Sequence, residues 1–214
     1  MNCLVFGATG ATGFEFVKKI TTNPNWNVVY IVCRKMLPEW TPLKTNPKFK
    51  FLETENIVDK NIIKNELLKN SPIETVFNFL GSRVGMGEEI FRRIDHDYII
   101  ESAKIAEEIG AQQFHHVLPE GAKKDSWFLF LRVKGETFED LQKIKLNTVA
   151  IYMAGLITDR KDQRFGEKMG SWVPCIAKIK CSMLAENVIK YAEMNRNKIN
   201  PEALILQNKD ILKL

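Results

Sequence analysis

Residues 2–13, NCLVFGATGATG, join a short apolar run to a turn with a glycine at every third position. Apolar residues then recur at helical spacing, so the order is strand, glycine turn, helix. Gly7 permits a sharp turn out of the strand, Gly10 lets a diphosphate approach the backbone, and Gly13 lets the helix pack closely on the sheet. The start of the helix attracts the same anion. We assign the phosphate-binding turn to Gly7, Thr9, Gly10, Ala11, Thr12 and Gly13.

A second β-rich run, residues 26–33, follows the helix and completes a βαβ unit. At the end of such a strand an acidic residue binds a ribose 2′-hydroxyl, whereas an arginine accommodates a 2′-phosphate. Arg34 and Lys35 stand there, with no acid before Glu39. The pattern favours NADP(H) over NAD(H) as cofactor. The alternative is that both cations are solvated charges at a strand end.

Strands and helices keep alternating along the rest of the chain. This order predicts an α/β domain over residues 1–214, a doubly wound parallel sheet of Rossmann type in which 156–214 contribute a small C-terminal capping region. Ligands of such sheets lie at the carboxyl ends of the strands. We therefore expect Glu53 near the adenine, and Leu80 and Gly81 at the cofactor. Further strands are predicted at 49–53, 75–80, 114–118, 148–154 and 204–206, and helices at 62–70, 88–109, 125–144 and 179–194.

The composition is that of a globular protein, with 45% hydrophobic and 27% charged residues among 214. A net charge of +5 is too small to indicate nucleic-acid binding by itself. No apolar run approaches the roughly 18 residues that span a bilayer. The four cysteines have no metal-ligand spacing, which predicts a reducing compartment and no metal site. The first strand begins at Asn2, so a cleavable signal, and hence secretion, is not expected.

Short motifs in a fixed order cover nearly the whole chain. Besides the glycine turn, they are Gly81-Ser82-Arg83, Asp95-His96-Asp97-Tyr98, Val133-Lys134-Gly135-Glu136, Gly155-Leu156 and Asn208-Lys209-Asp210-Ile211. With these motifs the chain resembles the atypical short-chain dehydrogenase/reductases, and within them the Tat-interacting protein 2 group and its fungal mitochondrial relatives. The resemblance implies a Rossmann domain, NADPH, a small carboxyl-terminal substrate region, and a mitochondrial location, with the cytoplasm as alternative.

The family's catalytic residues are only partly present. Its members use a tyrosine four residues before a lysine, and a serine at the end of the fifth strand, to exchange a proton, hold the ribose and orient the carbonyl. Lys134 matches the lysine, but Phe130 replaces the tyrosine, and the serine falls at Leu118 or Pro119. The phenylalanine alone is expected to cost about 10²- to 10⁴-fold in rate. Cofactor binding through the glycine turn, Arg34 and Lys134 is expected to remain.

Three functions fit this pattern. The first is a catalytically degenerate NADP(H)-binding subunit of a larger assembly, with protein partners and no assured small-molecule substrate; the family precedent is an NADPH-carrying accessory subunit of respiratory complex I. The second is an active NADPH-dependent oxidoreductase with a relocated proton donor. The third is a redox sensor that binds partners according to its NADP(H) state. Candidate donors are Tyr98, His115, His116 and Tyr152, and candidate partner anchors, if not core residues, are Trp40, Trp127 and Trp172.

Overall fold

The computed structural model describes residues 1–67, 72–82, 84–160 and 177–214. The strands are β1 Asn2–Phe6, β2 Val28–Cys33, β3 Phe49–Glu53, β4 Thr75–Asn78, β5 Gln113–Pro119, β6 Thr148–Ala154, β7 Leu156–Thr158, β8 Lys178–Lys180 and β9 Leu204–Gln207. The α-helices are α1 Ala11–Thr21, α2 Lys60–Leu67, α3 Glu88–Arg92, α4 Tyr98–Glu108, α5 Leu129–Leu141, α6 Cys181–Met194 and α7 Asn208–Ile211. Two 3₁₀ segments, Pro38–Thr45 and Val84–Met86, and a π-helical turn, Arg93–Asp97, complete the described elements.

Seven strands form one sheet in the order β3-β2-β1-β4-β5-β6-β9, and every neighbouring pair is parallel. Parallel strands covered on both faces are apolar along their length, which explains the run in β1. Its side chains alternate between two cores: Val5 packs in the core formed with α1 and α6, and Leu4 and Phe6 in the core formed with α4 and α5. The predicted doubly wound Rossmann sheet is confirmed.

The long helix predicted over 88–109 is present as a continuous helical stretch, in which the π-helical turn Arg93–Asp97 joins α3 to α4. The predicted fourth strand, 75–80, is too long, because the Asn78 side-chain oxygen accepts a hydrogen bond from the Leu80 N–H at 2.9 Å and turns the chain out of the ladder.

The described part of the predicted capping region, 156–214, builds much of the Rossmann fold. β9 extends the main sheet beside β6, and α6 packs on α1. β7 and β8 pair in a separate two-stranded sheet. Most of the segment expected to cover the crevice, together with Trp172, lies within 161–176 and therefore outside the described residues.

Trp40 belongs to the core and not to a partner-binding surface. Its side chain is buried, and its ring stacks against Phe14 and Phe51, with centroids 6.2 and 6.0 Å away. Trp127, in contrast, is 96% exposed. Within the described ranges, no helix is both long enough and apolar enough to cross a membrane.

Candidate nucleotide-binding site

The turn between β1 and α1 brings three backbone segments into contact. Gly7 has φ +70°, and a Cβ there would lie 2.5 Å from the Leu80 backbone nitrogen. A Cβ on Gly13 would lie 2.4 Å from the Gly7 carbonyl oxygen, so neither position admits a side chain. Gly10 is different, since it is exposed and a Cβ there would approach that oxygen only to 3.3 Å. Gly7 and Gly13 therefore allow the backbone segments to pack closely, whereas Gly10 is exposed at the carboxyl edge of the sheet.

The N-terminus of α1 lies directly above this turn. Gly10 is its N-cap, and among the described residues no side chain caps it and no acidic residue stands in its first turn. Thr9 and Gly10 are exposed, Gly7 and Ala11 are half-buried, and Thr12 and Gly13 are buried. The exposed backbone and the helix's partial positive charge fit a diphosphate. The assignment of these six residues to the cofactor remains a prediction.

On one side of β1, the end of β2 presents a pair of cations. Arg34 and Lys35 directly follow β2, and both are exposed. Glu53 ends β3 opposite Cys33, and its Oε2 accepts a hydrogen bond from the Met36 N–H at 3.3 Å. Glu53 thus braces the loop that carries the two cations. The positive charges of Arg34 and Lys35 at this edge are suited to a 2′-phosphate.

On the other side of β1, a buried ion pair lies below the end of β4. Lys134 of α5 is 5% exposed, and its Nζ lies 2.6 Å from Oδ1 of Asp95, which is fully buried in the π-helical turn. The other oxygen, Oδ2, accepts a hydrogen bond from the Ser82 backbone N–H at 2.7 Å and another from the Ser82 hydroxyl. Asp95 therefore ties α5 and the loop after β4 to the long helix.

This role of Asp95 was not predicted from the sequence. A signal was present, because Asp95 stands four residues after Phe91 and four before Ile99, both fully buried. A carboxylate on the apolar face of a helix requires a cationic or hydrogen-bonding partner. The spacing thus indicated a buried partner for Asp95.

The remaining family catalytic positions carry hydrocarbon side chains. Phe130 is half-buried and packs on Phe91, with ring centroids 6.1 Å apart. Leu118 is buried in the core formed with α4 and α5, and Pro119, half-buried, ends β5. None of these side chains can exchange a proton with a carbonyl oxygen.

Two of the candidate relocated donors hydrogen-bond to each other inside the core. His115 Nδ1 lies 2.9 Å from the Tyr152 hydroxyl, and His115 Nε2 lies 2.8 Å from Oε1 of Gln113. All three residues are buried. Burial lowers the pKa of His115 to about 3 and raises the pKa of Tyr152 well above its ordinary value. Both groups are therefore neutral at physiological pH.

The other two candidates lie on the α4 side of the sheet. His116 Nδ1 lies 3.0 Å from the Asn78 carbonyl oxygen, and burial together with the Lys134 charge lowers the pKa of His116 to about 3. Tyr98 is half-buried, and the Arg93 guanidinium lies 5.4 Å from its ring centroid. His116 is thus neutral, and it can accept a proton more readily than it can give one.

The side chains of the Asp95-His96-Asp97 motif contact different partners and could not hold one metal ion together. Asp95 faces Lys134, whereas His96 lies 2.8 Å from Asp97 and 3.0 Å from Asp140. Across the described ranges, no group of three or more histidine, cysteine, aspartate or glutamate side chains could hold a metal ion.

The sheet order, the glycine turn and the edge residues define the class of this protein, a Rossmann fold of the nucleotide-binding, oxidoreductase-like type. No family model matches the sequence. The chain is 31% identical over 173 residues to Protein FMP52, mitochondrial, of Kluyveromyces lactis, covering 78% of this chain and 74% of that protein. It is 28% identical over 177 residues to Protein HTATIP2 of Rattus norvegicus, covering 78% and 67%. The chain belongs to the FMP52 and HTATIP2 family, which confirms the resemblance stated above.

Solved structures show the same fold. DesIV, a dTDP-glucose 4,6-dehydratase from Streptomyces venezuelae solved with NAD, has a TM-score of 0.71 at 12% identity over 97% of this chain and 76% of that chain. ElxO with NADP bound has a TM-score of 0.70 at 12% identity over 98% of both chains. At this identity the likeness establishes the fold alone.

The Asp95–Lys134 pair yields the first prediction. Asp95→Asn and Lys134→Met should each destabilise the protein by about 3 to 5 kcal/mol, because each leaves a buried charge unpaired. The double variant should lose much less than the sum, since it leaves no charge behind. Urea unfolding at pH 7 measures the three differences.

The exposed ion pair Lys124–Glu139 is the matched control, with N and O 2.7 Å apart. Lys124→Met and Glu139→Gln should each change stability by no more than about 0.5 kcal/mol. Additive losses in the Asp95 and Lys134 variants would show that the two charges do not depend on each other.

The two buried histidines yield a second prediction. Their pKa values are about 3 in the folded chain and near 6.5 when unfolded, so the unfolded chain binds more protons between these values. Stability should therefore fall as the pH drops below about 6.5, with each histidine contributing up to about 1.4 kcal/mol per pH unit. Urea midpoints of the wild type, His115→Gln and His116→Gln from pH 7.5 to 4.5 test this. An unchanged slope in both variants would mean that neither imidazole is held neutral.

Proposed function

We propose that this protein binds NADP(H), has lost carbonyl-reducing chemistry, and serves as a structural or accessory subunit of a larger mitochondrial assembly. One observation carries the proposal: Phe130 packs on Phe91 in place of the family tyrosine, while Lys134 is engaged by Asp95. Thr9 and Gly10 of the glycine turn and Arg34, in contrast, are exposed and accessible to a cofactor.

The binding half of the proposal follows from the order β2-β1-β4 along the sheet edge. Arg34 and Lys35 at the end of β2 suit a 2′-phosphate, and the uncapped α1 N-terminus at the end of β1 suits a diphosphate. The nicotinamide half would then lie over the end of β4. A dinucleotide therefore spans the three strand ends in sequence.

The proposed loss of carbonyl reduction rests on which side chains could donate a proton to a substrate. Carbonyl reduction requires a hydride from the cofactor and a proton for the substrate oxygen. The Ser82 hydroxyl donates to Asp95, and the Lys134 ammonium pairs with the same carboxylate. Both groups are thus committed to Asp95, and Phe130 has no proton to offer.

A partner surface is supported by the loop before α5. Trp127 is 96% exposed and Phe128 is 73% exposed, and large aromatic side chains are enriched at the centres of protein interfaces. The FMP52 relatives are named as mitochondrial proteins, which supports that location for this chain. Bound cofactor at 100 times its dissociation constant would add about 2.7 kcal/mol to the stability of such a subunit.

Cofactor choice gives the third prediction. Arg34→Ser should weaken NADPH binding about tenfold or more, because a charge-assisted contact to the 2′-phosphate is lost, and should leave NADH binding within about twofold. Fluorescence titration of the reduced nicotinamide measures both affinities. Lys104→Ser, which removes a half-exposed cation on α4, is the control. Equal losses for NADPH and NADH would show that Arg34 does not contact a 2′-phosphate.

The loss of chemistry gives the fourth prediction. The unfolding temperature of the purified protein should rise when NADPH is added. With a panel of aldehydes and quinones, however, the protein should not oxidise NADPH above the buffer rate. Absorbance at the reduced-nicotinamide band follows the reaction. Steady NADPH oxidation above the buffer rate would show an active oxidoreductase and would overturn the proposal.

A further inference from the structure

Three buried polar side chains form a hydrogen-bonded chain that links β5, β6 and α6. Nε2 of Gln113 donates to the Ala192 carbonyl oxygen at 3.3 Å. The His115 ring lies between Oε1 of Gln113 and the Tyr152 hydroxyl, at 2.8 and 2.9 Å. The exposed fractions of Gln113, His115 and Tyr152 are 2%, 1% and 0%. The three side chains are therefore out of contact with bulk water.

The donors and acceptors along this chain are fixed from its carbonyl end. A carbonyl oxygen only accepts, so Gln113 turns its Nε2 toward Ala192 and its Oε1 toward His115. Because Oε1 also only accepts, Nε2 of His115 carries the ring proton and Nδ1 keeps a lone pair. Burial lowers the pKa of His115 to about 3, so the ring remains neutral. The Tyr152 hydroxyl therefore donates its hydrogen bond to Nδ1 of His115.

A second tyrosine connects this pair to the surface of the molecule. The Tyr191 ring of α6 is half-buried, and it meets the Tyr152 ring edge-on with the ring centroids 6.0 Å apart. Aromatic rings in such close contact pass electrons readily. An electron can thus leave Tyr152 through Tyr191, while the Tyr152 proton has Nδ1 of His115 as an acceptor at hydrogen-bonding distance.

The environment of Tyr152 suppresses simple ionisation but not oxidation. Burial raises the pKa of Tyr152 well above its ordinary value, because a phenolate without solvation is costly. A phenol that has lost an electron, in contrast, is a strong acid. Its proton then passes to a base that is already in contact, and both products of the step stay in the core.

We propose that Tyr152 and His115 form a redox-active pair that gives one electron to a radical oxidant. In this step the Tyr152 O–H bond breaks, an N–H bond forms at Nδ1 of His115, and the electron leaves through Tyr191. Tyr152 becomes a neutral tyrosyl radical beside an imidazolium. The oxidant is reduced, a peroxyl radical becoming a hydroperoxide with a proton from water. This activity goes beyond the proposed function and does not depend on NADP(H) binding.

The test uses the one-electron oxidant hexachloroiridate(IV) at pH 7.5, with freeze-quenching and electron paramagnetic resonance. Tyr152→Phe removes the hydroxyl and keeps the ring. His115→Gln keeps a hydrogen-bond acceptor for that hydroxyl but removes the base. Tyr30→Phe is the matched control, because Tyr30 is 1% exposed and packs in the core on the other face of the sheet. Urea unfolding at the same pH verifies that each variant is folded.

Wild-type protein with ¹⁵N-labelled histidine supplies a second readout that needs no variant. A tyrosyl radical that shares its proton with His115 should show a magnetic coupling to the labelled ring nitrogen in pulsed measurements. A hydrogen bond that only stabilises the core would give no radical at Tyr152 and hence no such coupling.

We expect a tyrosyl signal in the wild type and in Tyr30→Phe, and its loss in Tyr152→Phe. In His115→Gln the signal should form at least about tenfold more slowly, since a positioned base contributes about 10²- to 10⁴-fold to a proton transfer. A signal that survives in Tyr152→Phe, or formation in His115→Gln at the wild-type rate, would overturn the inference. The absence of a tyrosyl signal or of the nitrogen coupling in the wild type would also overturn it. The NADPH titrations decide the proposed function separately.

Discussion

At Gly7 the chain leaves β1 with φ +70°, and the space a Cβ would need is already filled by the backbone at Phe79 and Leu80. The close fit between the glycine turn and the end of β4 determines the rest of the edge. It holds the backbone that leads into Gly81 against the glycine turn, and Gly81 in turn lies over the Asp95–Lys134 pair. A side chain at Gly7 would separate these segments, so the position of the glycine turn relative to the loop after β4 depends on one backbone contact.

Most of the fold could be predicted from the sequence because parallel strands buried on both faces leave an unambiguous pattern. β1 and β2 appear as apolar runs and β3 as an alternating one, and the alternation of strands with helices along the chain predicts a parallel sheet. Side-chain interactions that end a strand or bury a residue of a loop could not be predicted in the same way. The end of β4 depends on the Asn78 side chain, which bonds to the Leu80 N–H, and Trp40 is buried by rings from Phe14 and Phe51 that are distant in sequence.

The exposed part of the candidate site, at the strand ends, could be predicted from the sequence, whereas the buried polar cluster beneath it could not. The glycine turn and Arg34 are contiguous signals, whereas the polar cluster joins Ser82, Asp95 and Lys134 from three elements. An ordinary helical period through 88–109 does not specify the π-helical turn that directs Asp95 inward. The helical period therefore places Asp95 in a motif but does not indicate that Lys134 is its partner.

The ion pair also bears on what a retained lysine means in a protein that lacks the neighbouring tyrosine. In an active enzyme of this type the lysine tunes the tyrosine, and without a tyrosine at position 130 that role is gone. Lys134 nevertheless cannot be exchanged freely, because its loss would leave Asp95 charged and buried. Asp95 in turn holds the loop after β4 through Ser82. Lys134 is therefore required by the fold, and its presence alone does not indicate proton transfer.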